Sequence, residues 1–297
     1  RESIQSSSVE KPVVESVKPA TGSLLGATAR SVSKNQSGES GFLLLDRGDQ
    51  ALAWRTRLAD AAESTIDAQY FLWKNDDAGK IMMQRLIAAA DRGVRVRVLV
   101  DDSMTESNPR YLADFGAHPN VAVRLYKPFG PKGKSLVMRW LDYASDLRIL
   151  NRRMHNKVFV VDGSYSIVGG RNIGNEYFEY IGPFCFRCRD LMAVGPVVES
   201  TSLGFDQYWN SDWTVPIEDV IASVPNSAKS RKAWDELAAF ATEQDHYPSG
   251  FFKLPADFQA AWDSVKNQLY WGKARLLIDA VPPVKGQPES RLGFDQT

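Results

Sequence analysis

Residues 65–102, TIDAQYFLWKNDDAGKIMMQRLIAAADRGVRVRVLVDD, constrain the fold more than any other stretch. Thr65 to Trp73 is short, β-branched and aromatic, which predicts a strand. From Ala78 to Arg92 the apolar positions Ile81, Met82, Leu86, Ile87 and Ala90 fall on one side of a helix, and Gly93 is its stop. Val94 to Val100 alternates again as a strand and ends at Asp101 and Asp102. Strand, helix, strand in that order predicts a parallel pair inside an α/β sheet.

The flanking sequence extends this pattern. Helices are expected over Gln50–Glu63, Pro109–Phe115 and Val197–Trp209, and strands over Val121–Tyr126 and Leu191–Val194. Lys157–Val161 and Tyr165–Val168, joined by Asp162, Gly163 and Ser164, predict a hairpin. Residues 1–40 are rich in Ser, Val, Lys and Glu without a sustained period. They read as a flexible leader, either a membrane tether or a disordered tail, with order beginning near Phe42. Residues 41–213 form the expected ordered lobe, which holds the motif described below. After Trp213 the chain turns polar, with short helical patterns over Ser230–Thr242 and Pro255–Tyr270; residues 214–297 read as a linker toward a further lobe. The first residue is Arg1, which fits a processed form or a fragment.

Composition narrows the class of function. Lys plus Arg is 36 and Asp plus Glu is 36, so no uniform basic coat for nucleic acid is present. Hydrophobic residues at 43% and charged residues at 24% exclude a wholly disordered chain. No apolar run reaches the length of a transmembrane helix.

The chemistry is concentrated in MHNKVFVVDGSYSIVGGRNIGNEY, Met154 to Tyr177. His155, Lys157 and Asp162 have H-x-K-x4-D spacing, and Gly169, Gly170, Arg171 and Asn172 follow. Such a combination arises by chance roughly once in 10⁵ at average composition. Two residues apart on a strand, His155 and Lys157 would project from one face. A neutral imidazole can attack phosphorus and divide a hard displacement into two easier steps. Lys157 and the Asn172 amide can donate to oxygens on which charge builds. Glycines at 169 and 170 would let the backbone approach an anion. His155 taken alone also fits a core histidine beside a hairpin.

This constellation resembles the HKD motif of the phospholipase D superfamily. The segments LNRRMHNKVFVVDG, VGGRNIGNEYF, MAVGPVVES and FDQYWNS, with residues 65–102, are similar to the first half of bacterial cardiolipin synthases, most of all the C-type. The resemblance runs from residue 42 to about 280. It implies a phospholipase D-like α/β/α sandwich, a mixed sheet flanked by helices, as one lobe of a two-lobed fold. The implied reaction is phosphatidyl transfer between phospholipids at a membrane surface, through a phosphohistidine and without a metal or cofactor. His155 would be the nucleophile, with Lys157 and Asn172 as phosphate ligands and Asp162 as a supporting residue. Gly169, Gly170, Arg171 and Arg153 would line the substrate. Asp190 matches an acidic position that can orient a histidine ring; otherwise it is a strand-edge salt-bridge partner. Cys188 stands where the family commonly has another acid.

The family pairs two HKD motifs, and this chain carries one. Its other histidines, His118 and His246, do not begin H-x-K. The second motif is expected from a C-terminal half or from a homodimer partner. Leu136, Val137, Trp140, Leu141, Ala144 and Leu147 lie among basic residues at helical spacing. They read as an interfacial helix for anionic lipid or as a surface helix packed on the sheet, and less well as a nucleic-acid groove. Cys185 and Cys188 lack further ligands for a structural zinc site and read as ordinary thiols. Two other readings stay open: a phospholipase or nuclease of the same superfamily, with water as acceptor, and a non-catalytic lipid-binding domain with a half-site.

Overall fold

The structure is a computed structural model. It describes residues 13–16, 22–102, 110–128, 153–180, 185–221, 227–279 and 281. The strands are β1 (Ser40–Leu45), β2 (Thr65–Tyr70), β3 (Arg95–Asp101), β4 (Val121–Tyr126), β5 (Val158–Val161), β6 (Tyr165–Gly169), β7 (Asp190–Val194), β8 (Thr214–Pro216) and β9 (Tyr270–Gly272). Among the described residues they form one sheet in the order β8-β4-β3-β2-β5-β6-β7-β1-β9. β2, β3 and β4 run parallel, and the other neighbours pair antiparallel. The helices are α1 (Leu24–Ser33), α2 (Gly48–Ala61), α3 (Asp77–Asp91), α4 (Arg110–Gly116), α5 (Val197–Trp209), α6 (Ile217–Val220), α7 (Ser227–Phe240) and α8 (Phe258–Val265).

The parallel β2-α3-β3 unit forms as its sequence predicts, with Thr65 opposite Arg95 through Tyr70 opposite Val100. Strand alternation sends Val96, Val98 and Val100 into the large apolar core that holds α2 and α3. Leu99 faces the other way, into a second cluster with Phe205, Tyr208 and Trp209 of α5. Arg97 shares that second face, and alternation in VRVRVLV does not say what covers it. The arginine is buried: its guanidinium donates to Asp67 on the adjacent strand at 2.6 and 2.8 Å and pairs with Asp206 of α5 at 2.8 Å. Its charge also lies 4.7 Å from the Phe205 ring centroid. A desolvated arginine persists here because its donors are satisfied and two carboxylates oppose its charge. The sheet is thus covered by helices on both faces, an α/β layered fold.

Two expectations about the ends of the lobe need correction. The leader read as flexible over residues 1–40 contains α1, capped by the Ser23 hydroxyl accepting from Gly26 N at 3.1 Å, with Leu25 fully buried. Residues 13–16 lie beside α5, where Ser16 N donates to Asp206 at 2.7 Å and Val14 exchanges hydrogen bonds with the Asn210 side chain. One apolar anchor per turn suffices when a cap and side-chain acceptors satisfy the backbone.

The stretch read as a linker from residue 214 is built into the lobe as far as Gly272. β8 pairs with β4 and β9 with β1, and Trp234 of α7 donates from Nε1 to Asp114 O at 2.9 Å. Trp262 and Phe258 of α8 close on Tyr165 with centroids 5.1 and 5.5 Å away. Sparse large aromatics bury well while their neighbours stay polar, so average polarity misleads here. The basic amphipathic stretch around Leu136–Leu147 lies outside the described residues.

Trp262→Ala should therefore destabilise the lobe by about 3–5 kcal/mol, the usual cost of emptying a buried tryptophan site. Urea unfolding followed by far-UV circular dichroism measures it. An unchanged midpoint would mean that α8 is not part of the core.

Candidate active site

The carboxyl ends of β2, β3 and β4, the start of β5, the end of β6 and the start of β7 share one edge of the sheet. The register requires it: Gln69 faces Val158, Val158 faces Val168, and Gly169 faces Asp190. Ligands gather at such an edge in α/β sheets because loops there leave the sheet on diverging courses. His155 and Lys157 stand at this edge.

They stand just ahead of the strand instead of within it, since β5 pairing begins at Val158. Phe71, just beyond β2, brings them together. The His155 ring lies 5.0 Å from the Phe71 centroid, and Lys157 Nζ lies 5.4 Å from it. Lys157 Nζ also donates to His155 O at 2.6 Å. The imidazole is exposed, whereas Lys157 is only 5% accessible. Partial burial and the Lys157 charge hold the His155 imidazole below the ordinary histidine range, with Asp101 opposing them. At neutral pH the neutral, nucleophilic form is therefore favoured. Burial pushes Lys157 down to about 8, which leaves it protonated at neutral pH but close to titration.

Asp162 sits at the other end of β5. Its carboxylate accepts from Glu63 N, Ser64 N and Thr65 N at 3.0, 2.8 and 2.9 Å. Asp162 and Gly163 have φ of 50° and 58°, the left-handed pair of a tight hairpin turn. Asp162 thus fixes β5 against the start of β2. Asn172 is buried: its Oδ1 accepts from Leu72 N at 3.1 Å and its Nδ2 donates to the Tyr177 hydroxyl at 3.0 Å. The amide ties the segment carrying Phe71 to the turn after β6.

Five residues assigned from the sequence take on specific surroundings. Asp190 is the salt-bridge partner of the second reading, buried and facing two arginines, not a histidine. It lies on an interior strand, accepting from Arg55 Nη2 at 2.9 Å and Arg171 N at 3.2 Å, with Arg171 Nη1 at 3.4 Å. Arg171, expected against substrate, is buried; its guanidinium donates to the carbonyls of Leu45, Asp46 and Tyr177 at 2.6–3.1 Å. Gly169 makes room for protein: a Cβ there would fall onto the Asp190 carboxylate and the Arg189 carbonyl. Gly170 is exposed and lies against Cys188. Arg153 reaches back to the Lys127 carbonyl at 3.1 Å and to Asp101 at 3.4 Å.

Sequence reasoning did not single out Phe71, Arg55 or Tyr70. Arg55 is buried in α2 and donates from Nε to the Tyr70 hydroxyl at 3.0 Å, which completes the cluster around Asp190. Nothing in the sequence sets it apart, since Arg57 stands two residues later in the same helix. Cys185 and Cys188 are free thiols, and Cys188 is near enough to Lys157 to influence it. Among the described residues no group of His, Cys, Asp or Glu could hold a metal ion.

Asp190→Ala should cost about 3–5 kcal/mol, because Arg55 would keep a buried charge without its counter-ion. Chemical denaturation measures that loss, and the His155 imidazole resonances should titrate as in the parent. Full stability together with a shifted His155 titration would restore the orienting role.

Comparison with known proteins bears on the family of the chain. A family model described as "Cardiolipin synthase, PLD-like domain" matches residues 56–198. Cardiolipin synthase C of Escherichia coli is 38% identical over 256 residues, covering 86% of this chain and 52% of that protein. A cardiolipin synthase of Staphylococcus aureus is 31% identical over 158 residues, covering 52% of this chain and 29% of the relative. Phosphatidylserine synthase of Haemophilus influenzae superimposes with a TM-score of 0.47 at 15% identity, over 72% of this chain and 47% of that one. The chain spans about half the length of the cardiolipin synthase C it matches. With its H-x-K-x4-D motif inside the matched span, this chain belongs to the phospholipase D superfamily, and the matched part is similar to cardiolipin synthases.

Proposed function

We propose that this chain is one catalytic lobe of a phosphatidyltransferase that makes cardiolipin, with His155 as the nucleophile. The observation that carries the reading is an exposed imidazole, held toward its neutral form, beside a buried lysine at the open edge of the sheet. A ring nitrogen of His155 attacks the phosphorus of a donor phospholipid. The phosphorus–oxygen bond to the headgroup breaks, and the departing alkoxide takes a proton from an acid. The headgroup hydroxyl of a second phospholipid, deprotonated by the same group, then attacks the phosphohistidine and frees His155. Lys157 offers its charge to the non-bridging oxygens, and a partly buried site strengthens that contact. One amide hydrogen of Asn172 remains for the same purpose.

The acid must come from elsewhere. His118 precedes β4 at the opposite edge, packed on Trp234 and bonded to Asp91 at 3.1 Å. His246 stacks on Phe240. A second H-x-K-x4-D lobe, from a longer chain or a second copy, would supply the missing histidine. Membrane association fits such substrates; among the described residues no helix is long and apolar enough to cross a membrane.

The test presents the protein with phosphatidylglycerol vesicles, followed by lipid analysis and acid-labile labelling of His155 by a phosphatidyl donor. Cardiolipin and free glycerol are expected, with His155→Ala reducing turnover by roughly 10³-fold or more. Phosphatidic acid in place of cardiolipin would make water the acceptor. Neither turnover nor label at His155, with the second lobe present, would sink the proposal. The kcat/KM profile should lose activity as pH rises through about 8, where Lys157 gives up the proton that carries its charge. Lys157→Arg should move that alkaline limb upward, because a guanidinium stays protonated across this range.

A further inference from the structure

We infer that Asp101, the last residue of β3, is a positioning residue for His155: it fixes the main chain that carries the imidazole and places a buried negative charge behind it. The inference rests on His155 as the reactive group. Asp101 is fully buried at the carboxyl end of β3. Its Oδ2 accepts from Met154 N at 2.9 Å, one residue before His155, and its Oδ1 lies 3.4 Å from Arg153 Nη1. Residues 153–157 have no strand pairing, since the β5 ladder begins at Val158. The carboxylate and the buried Met154 side chain, part of the apolar cluster with Leu99, Tyr126 and Trp209, therefore anchor this segment on its N-terminal side. On its other side, the Lys157 ammonium holds the His155 carbonyl.

The same carboxylate has an electrostatic role. The charged and titratable groups around His155 among the described residues come from three elements. Lys157 approaches from its own segment and disfavours imidazolium, Asp101 from β3 favours it, and Arg153 lies against Asp101 and weakens that effect. Phe71, at the end of β2, contributes an uncharged ring. Cys188, ahead of β7, acts on Lys157. Asp101 thus counters the lysine required for phosphate and keeps the histidine basic enough to attack. An imidazole pushed too far down would be neutral but a poorer nucleophile and a poorer base.

The histidine count makes the test direct, because the whole chain contains three. Imidazole proton–nitrogen spectra of the labelled full chain, recorded from pH 4.5 to 8.5, give a titration for each. Asp101→Asn keeps an acceptor for Met154 N but removes the charge. The His155 midpoint should fall by about half to one pH unit, while His118 and His246 hold their values. In the complete enzyme the acid limb of kcat/KM should move down by the same amount. Arg153→Met leaves the carboxylate in place and should move the His155 midpoint upward, and it serves if Asp101→Asn does not fold. An unmoved His155 midpoint in a folded Asp101→Asn, or an Arg153→Met shift that is absent or downward, overturns the assignment. Because the titration needs no turnover, its failure is separable from failure of phosphatidyl transfer.

Discussion

The buried cluster around Asp190 holds the active edge in one piece. It joins Arg55 from α2, Tyr70 at the end of β2, Asp190 at the start of β7, and Arg171 just after β6. Arg171 carries the cluster onward to the carbonyls of Leu45 and Asp46 after β1. Strand ends would otherwise diverge into loops with unsatisfied carbonyls. The Arg171 guanidinium satisfies those carbonyls, and the Asp190 carboxylate opposes its charge and that of Arg55. Such a cluster adds little net stability over an apolar replacement, but it permits only one arrangement of its members. That geometric demand explains Gly169: no larger residue leaves room for the Asp190 carboxylate beside β6.

β5 is held at both ends by carboxylates with different tasks. At the far end Asp162 takes three main-chain N–H groups that precede or begin β2, which sets the register of Ile66 on Val161. At the near end Asp101 takes Met154 N. The four residues of β5 rise roughly 13 Å, and both anchors lie beyond its ends. The motif's aspartate therefore acts at a distance from the chemistry, by fixing the far end of the strand that follows His155 and Lys157.

How much of this was legible from the sequence depended on whether the signal was local. The β2-α3-β3 unit, the β5–β6 hairpin and α5 could be read because period and turn chemistry act within a few residues. Arg97 could not be placed, because alternation identifies a second face without saying what covers it; the cover is α5, about a hundred residues later. α1 was missed because its burial rests on one fully enclosed leucine and a serine cap. Asp190 could be recognised as important, yet its role depends on Arg55, which lies 135 residues away in sequence. The motif itself marked His155 and Lys157, but their common neighbour Phe71 read only as one more aromatic in a strand.

The opposite exposures of His155 and Lys157 follow from what each has to do. A nucleophile must reach phosphorus, so the imidazole stands clear of the sheet on the Phe71 ring. A cation stabilises developing charge best where water does not screen it, so the ammonium is withdrawn. Withdrawal lowers the lysine's own proton affinity and, through its charge, that of the histidine beside it. The two effects leave a narrow range of pH in which the imidazole is free and the ammonium is charged. A fixed carboxylate at the end of β3 raises the lower boundary of that range slightly and strengthens the histidine as a base. The upper boundary is set by the burial of Lys157, opposed by Cys188, and the lower by burial of the imidazole and the Lys157 charge, opposed by Asp101.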